Sequence, residues 1–405
     1  MSKRFFSSFF YLNTTQFIIT LNDSIFRLIV AYSLIDLLGE ERSNEILAIS
    51  ATLFVLPFIL FSMQVGQLGD RISKKKIIVW SVWVEVFFMI LAYFAILFNH
   101  SVSSYFALFL IALQASFFNP IKYAIIPEIE PPERIAKANG YMMLFTYVSI
   151  LLGTFLASFL SAMTNRNFPL IVIFCVIISL ISILTAYGIE KTPIKNPGKK
   201  INYFFFIQIF KTLKLASNYK HLNLAFFCSA FFLYIASFTQ LNLLPYGMES
   251  LGITDIQTGY VYLAAAIGLG VGSFLVSIIS TNSVKLSISL WGGYGTAISF
   301  VLLYLFRHDL IIACLLFFSI GMHGGLYVVP FVSYVQLISP EKHRGTLVST
   351  ETFLSFIAVL LGAGTLFLLG DLVDLTAAEG FLVMGCITLL VSFLITFALR
   401  EKKST

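Results

Sequence analysis

The chain has 405 residues, of which 58% are hydrophobic and only 11% charged, with 43 phenylalanines and a formal net charge of +6; soluble domains run near about 45–50% apolar and about 25% charged. About a dozen apolar spans of roughly 20 residues, joined by short turns, fill such a length and leave no room for a soluble domain of ordinary size. This excludes a soluble enzyme, a nucleic-acid-binding domain, a secreted disulfide scaffold and a single-anchor receptor.

Lys3 and Arg4 precede the first apolar run, which has no small-residue cleavage site and reads as a retained span rather than a signal peptide. Breaking the apolar windows at charges, Pro and Gly clusters predicts helices near 11–37, 45–68, 76–98, 102–125, 138–162, 168–189, 222–248, 256–280, 285–306, 309–335, 346–369 and 377–399. The expected fold class is an all-α membrane protein of twelve transmembrane helices in two six-helix bundles, 1–189 and 222–405, joined by a linker over 190–221.

In the first span, Asn13, Gln16, Thr20, Asp23 and Arg27 recur at steps of three and four, which puts them on one helical face. Asp23 and Arg27, one turn apart, are placed to pair, and Asp23 lies roughly 18 to 20 Å along the helix, near mid-membrane. Ionisable groups at that depth are expensive and by default mark a pathway or binding site. The alternative, that the pair knits the helix to its neighbours, carries less weight. After the second span comes Gly66-Gln-Leu-Gly-Asp-Arg-Ile-Ser-Lys-Lys-Lys76, where Gly66 and Gly69 permit close backbone approach and Asp70 is suited to accept hydrogen bonds from a helix N-terminus.

Glu85 in the third span is a candidate partner for Lys122 or for a lysine at the inner rim. Near the end of the fourth span, Asn119-Pro120-Ile121-Lys122-Tyr123 contains a proline that frees the carbonyl of Ser116 and bends the helix. Lys122 reads equally as part of a cavity wall and as a lysine reaching for the interface. In the linker, residues 202–218 place Phe, Ile and Leu on one side with Lys211 and Lys214 among polar positions. That pattern suits a helix lying among inner-leaflet headgroups and a solvated connector equally well. In the second half, His323 in Gly321-Met-His-Gly-Gly325 reads first as a packed, hydrogen-bonded histidine, with a proton relay as the lesser alternative. Glu351 sits a little inside the inner interface, and Gln240 and Asn242 are further cavity candidates.

Orientation follows from the cations. With the N-terminus cytoplasmic, 21 of the 26 Lys and Arg residues fall on the inner side, Arg42, Arg166 and Arg307 fall outside, and Arg27 and Lys122 lie within spans. This bias puts both termini in the cytoplasm and makes the positive charge a topology signal, so no nucleic-acid partner is expected. The four cysteines lie far apart in apolar runs and read as small core residues. Nucleophile elbow, zinc-helix and phosphate-loop motifs are absent from the sequence, so neither catalytic residues, a metal nor a cofactor is expected, and the chain reads as no enzyme.

The Gly66 to Lys76 segment resembles the gate signature of the major facilitator superfamily, with Ser73 where a glycine is usual; the resemblance implies a gating role for Gly66, Asp70 and Arg71. The matching loop of the second half, Ser280 to Lys285, keeps only Lys285. Three stretches are similar to one branch of that superfamily, the bacterial lysophospholipid transporters, some of which are fused to acyltransferase domains. They are Asn22-Asp-Ser-Ile-Phe-Arg27, Phe117 to Glu128 leading to Ala138-Asn-Gly140, and Gly324 to Pro330 with Ser339 to Gly345. Ser24 replaces the second Asn of the usual Asn-Asp-Asn.

The resemblance implies flipping of a lysophospholipid to the cytoplasmic leaflet of a bacterial inner membrane for reacylation, by alternating access. Asp23, with Asn22 beside it, would meet a headgroup amine, Arg27 or Lys122 the phosphate, and the phenylalanines the tail. The sequence ends at Thr405 with no acyltransferase domain, so a separate acyltransferase and membrane lipid are the expected partners. Two other classes stand beside this reading: a proton-coupled carrier of a small polar or drug-like solute working through Asp23, Glu85 or Glu351, and a non-transporting scaffold for a lipid-modifying enzyme. An integral-membrane lipid enzyme is disfavoured for want of a nucleophile or metal set.

Overall fold

A computed structural model describes residues 7–198, 205–280 and 283–400. All the regular structure among them is helical. Twelve helices are long and apolar enough to cross a membrane: α1 (Ser8–Leu38), α2 (Ser43–Arg71), α3 (Lys74–Leu97), α4 (Ser101–Ala124), α6 (Ile135–Met163), α7 (Phe168–Gly188), α9 (Leu222–Glu249), α10 (Asp255–Ile279), α11 (Leu286–Leu305), α12 (Leu310–Ile338), α13 (Arg344–Phe367) and α14 (Ala377–Arg400). Two shorter helices, α5 (Ile126–Ile129) and α8 (Phe205–Ala216), lie outside the set.

The ends follow local chemistry. Ser7 and Asn167 accept the amides of Phe10 and Leu170 to start α1 and α7, and Thr254 forms a capping box with Gln257 at α10. Gly39, at φ +98°, ends α1 in a conformation that side chains rarely adopt. The tryptophans Trp80, Trp83 and Trp291 are exposed near helix ends that carry lysines, and Lys76 lies 4.6 Å over the Trp80 ring. Such rings suit the headgroup level of a bilayer.

The chain packs as two compact units. The first takes in residues to Glu130, Val148–Thr212 and Ser339–Phe353; the second takes in Pro131–Tyr147, Leu213–Ile338 and residues from Leu354. Each unit therefore borrows one helix end from the other half of the sequence, the start of α13 in the first and the start of α6 in the second.

In the first unit, α1 packs on α7 and α4, and α3 on α4 and α7. They close over a core that includes Phe26, Ile29, Met89, Ile111, Phe168 and Cys175. The second unit is knotted on Phe381, whose ring meets Tyr246, Phe300, Phe317 and Phe238 at 5.2 to 6.1 Å between centroids; Tyr246 also donates its hydroxyl to the carbonyl of Leu303. Aromatic pairs in this geometry add about 0.5–1.5 kcal/mol each beyond burial. Along α10 and α12 the backbones touch: a Cβ on Gly272 would lie 1.9 Å from the Met322 carbonyl oxygen, and one on Gly321 1.9 Å from that of Ala265. Close approach through glycine is how membrane helices gain packing where no hydrophobic driving force separates them from lipid.

The linker contains a helix, α8, on which Ile207, Phe210, Lys211 and Lys214 are exposed. Its first expected residues, 202–204, lie outside the described residues, as do Lys3, Arg4, Lys199, Lys200, Lys402 and Lys403 among the orientation cations and 281–282 of the Ser280 to Lys285 loop.

Candidate functional site: buried charge in the first unit

The α1 residues separate into two faces. At 100° per residue, Asn22 points away from the Asn13 to Arg27 stripe and into the packing of α1 with α3 and α7. There its amide donates to Glu85 Oε1 at 3.0 Å and to Ser179 Oγ at 2.8 Å, while Ser179 donates to the same Glu85 oxygen at 3.1 Å. All three side chains are buried. Glu85 therefore does not form the expected pair with Lys122 or a rim lysine, because two neutral donors on α1 and α7 hold its carboxylate on the other side of α1.

On the stripe face, Asp23 is the sixteenth of the 31 residues of α1, its midpoint. It lies within electrostatic reach of Glu85, Arg27 and Lys122. The expected Asp23–Arg27 ion pair does not form: no ion pair among the described residues joins them, and the Arg27 guanidinium sits 5.3 Å over the Phe54 ring instead. Lys122 is 3% exposed, so it does not reach for the interface. Its ammonium faces the rings of Phe118 and Tyr123 at 5.7 and 5.3 Å and donates to Gln16 Oε1 at 3.5 Å. Gln16 in turn donates to Asn13 at 3.1 Å, and Asn119 is half-buried one turn before Lys122.

Three acceptor atoms in this region, Asp23 Oδ1, Asn22 Oδ1 and Glu85 Oε2, are buried and accept no hydrogen bond from the protein. Each such atom costs about 1–3 kcal/mol, more when charged. On the stripe face this leaves one buried acceptor, Asp23 Oδ1, with two cations, Arg27 and Lys122, in its electrostatic reach.

A second set of buried charge has the opposite character. Asp70 Oδ1 accepts the amide of Gly345 at 2.6 Å, and Oδ2 accepts the amide and hydroxyl of Thr346 at 3.1 and 2.6 Å. It thus caps α13 from a position 275 residues away. Gly66 makes the approach possible, since a Cβ there would stand 2.5 Å from Ser349 Cβ and 2.6 Å from the Gly345 oxygen. Beside it, Lys74 and Glu128 form a buried ion pair, Lys195 pairs with Glu341 at 2.7 Å, and the Asn196 amide donates to the Asp70 carbonyl at 3.0 Å. Arg71 is exposed and takes no part in the Asp70 cap. Glu351, half-buried on α13, acts electrostatically on the Tyr123 hydroxyl.

In the second unit, His323 Nδ1 meets the carbonyl and hydroxyl of Ser319 at 2.9 and 3.1 Å, and its ring packs on Gly295. Gln240 is exposed, whereas Asn242 is buried and donates to the Ala377 carbonyl at 2.8 Å. No cluster of His, Cys, Asp and Glu suited to a metal ion occurs among the described residues. Sequence reasoning did not single out Ser179, Phe54, Lys74 or Thr346. Ser179 is one hydroxyl in an apolar run, Phe54 one phenylalanine among 43, and Lys74 reads there as an orientation charge.

Twelve helices long and apolar enough to cross a membrane, with a carboxylate at the midpoint of the first, give the architecture of a membrane transporter. The sequence profile of the Major Facilitator Superfamily matches residues 12–362 and again 226–405, and the chain belongs to that superfamily. Among relatives, the lysophospholipid transporter LplT of Photorhabdus laumondii is 24% identical over 319 residues, covering 77% of this chain and 76% of that protein. The protein of the same name from Escherichia coli O1:K1 is 26% identical over 295 residues, covering 70% and 69%. Solved structures agree in fold. The human organic anion transporter MFSD10 superposes with a TM-score of 0.77 at 14% identity, covering 95% of this chain and 99% of that one. An outward-facing bacterial homologue of the iron transporter ferroportin gives 0.73 at 15%, covering 99% and 100%.

Proposed function

We propose that the protein carries lysophospholipids across a bacterial inner membrane, by alternating access, to the cytoplasmic leaflet, where a separate acyltransferase restores the second chain. The observation that carries this reading is the unpartnered Asp23 acceptor on the stripe face of α1, with Arg27, which turns to the Phe54 ring, and the buried Lys122 in its electrostatic reach. An ethanolamine-type headgroup presents an ammonium for the acceptor and a phosphate for the two cations, and its single tail suits phenylalanine-rich walls. The names of the bacterial relatives support the same substrate class. On this reading the halves 1–189 and 222–405 are the moving bodies, 190–221 joins them, both termini are cytoplasmic, and the Gly66, Asp70 and Arg71 segment serves the gate.

The test is uptake of labelled lysophosphatidylethanolamine by cells lacking their own transporter. Expression should restore uptake, and Asp23→Asn or Lys122→Met should each lower it at least tenfold at equal protein level. Unchanged uptake on expression would refute the substrate. The two buried carboxylates, Asp23 and Glu85, also favour a second reading, proton-coupled carriage of a small solute. Flux driven by an imposed pH gradient and insensitive to added lysolipid would select it.

A further inference from the structure

In the second unit a groove of about 500 Å³ opens between α9, α13 and α14, within the range of about 300–1,000 Å³ typical of pre-formed ligand sites. Its walls are apolar. Phe227, Phe231 and Tyr234 form a stack along α9 with centroids 6.1 and 5.7 Å apart, and Leu354, Leu361 and Ile387 face them. Phe227 and Leu361 are more than half exposed, so the groove opens sideways, where a spanning helix meets acyl chains.

From Asn223 to Tyr234 the lining runs eleven residues along α9, about 16 Å at 1.5 Å per residue. That is the depth of one leaflet, half of a hydrocarbon core about 30 Å thick. The end of the lining at the start of α9 is polar. Asn223 donates to the Leu213 carbonyl at 3.1 Å, and both residues line the groove. Lys214 follows Leu213 directly, Lys220 precedes Asn223 by three residues, and both lysines are exposed. The turn that carries Lys220 is tied down by Tyr334, whose hydroxyl donates to the Lys220 carbonyl at 2.8 Å. From Lys191 to Met248 the sequence has seven lysines and not one Asp or Glu.

A leaflet-deep apolar groove with lysines at its surface end has the shape and charge of a phospholipid site. We propose that it holds one anionic phospholipid, an acyl chain in the groove and its phosphate at Lys214 and Lys220. The site is separate from the α1 cluster and needs no assumption about what the protein carries.

The experiment is native mass spectrometry of the full-length protein released from nanodiscs of phosphatidylglycerol and phosphatidylcholine mixed in known ratio. One phosphatidylglycerol should be retained per chain, with a preference over phosphatidylcholine of about 25-fold, about fivefold for each lysine. Lys214→Gln with Lys220→Gln should bring that preference close to unity without unfolding the protein, since both side chains are exposed, and 1 M salt should weaken it in the wild type. Ala358→Phe, which fills the groove, should remove the retained lipid of either kind. Equal retention of the two lipids by the wild type, or an undiminished preference in the lysine variant, would overturn the proposal, and neither readout depends on transport.

Discussion

Removing the carboxylate of Asp70 tests whether a residue on α2 holds the first turn of α13. Among the described residues, three hydrogen bonds end on that side chain, at 2.6, 3.1 and 2.6 Å. In Asp70→Ala the amides of Gly345 and Thr346 lose their acceptor where the backbone is buried, at about 1–3 kcal/mol each. The first helical residue, Arg344, is a buried cation at the positive end of the helix dipole, an unfavourable placement that the Asp70 charge offsets. These terms overlap, so a total of about 3–5 kcal/mol is expected, the range for breaking a buried charged pair.

Asp70→Asn keeps one oxygen acceptor and loses the charge, which leaves about half of that loss. Hydrogen–deuterium exchange of peptides covering residues 344–350 reads the effect directly, because local opening sets the exchange rate. Protection should fall at least about 100-fold in Asp70→Ala and about tenfold in Asp70→Asn, with little change in peptides from α14. Undiminished protection of 344–350 in Asp70→Ala would show that α13 holds its own first turn and that the cap contributes nothing.

Asn139 and Gln336 exchange amide hydrogen bonds at 3.0 and 2.9 Å in a buried pair. Replacing either alone by Leu should destabilise by about 2 kcal/mol or more through the orphaned partner, and the double variant should lose at least about 1 kcal/mol less than the sum of the singles. Additive losses in a denaturant titration would contradict the coupling. Gly272→Ala should prevent stable folding, because its Cβ would meet the Met322 carbonyl oxygen at 1.9 Å, whereas Gly364→Ala, with nothing within 4 Å, should stabilise α13 by about 0.5–1 kcal/mol. Thermal unfolding of the two purified variants checks both, and equal behaviour would contradict the packing argument.

The spans were legible because lipid imposes a requirement that a local window can read. The first was expected at 11–37 and forms Ser8–Leu38; the ninth was expected at 285–306 and forms Leu286–Leu305. The start of the eleventh was less legible. It was expected at 346, but α13 begins at Arg344, because its first turn is completed by a carboxylate from α2 that no window contains. Partners were the least legible feature. Period arguments put Asp23 and Arg27 on one face of α1, yet the guanidinium turns to Phe54, and Asn22 was assigned through family likeness with no hint that it faces Glu85. Ser179 carried little signal, since a lone serine in an apolar run more often bonds its own helix's carbonyls.

The buried charges of the first unit divide by how well they are satisfied, and that division bears on function. Asp70 accepts three hydrogen bonds, and Lys74 pairs with Glu128; groups so fully engaged within the protein have nothing left with which to hold a ligand, and their role is to fix α2 against α13. The α1 cluster is built the other way. Arg27 sits over a ring and forms no ion pair among the described residues, Lys122 has an amide and two rings, and Asp23 Oδ1 accepts no hydrogen bond. In a chain with only 11% charged residues, unsatisfied charge at the midpoint of a spanning helix lowers stability by several kcal/mol with no structural return. Filling those positions with well-packed apolar side chains should therefore stabilise the fold while abolishing transport. The Asp23→Leu, Lys122→Leu double variant is the case to make: a higher unfolding temperature with no uptake fits a binding role for the cluster, and a lower one means that the two charges support the packing of α1 and α4.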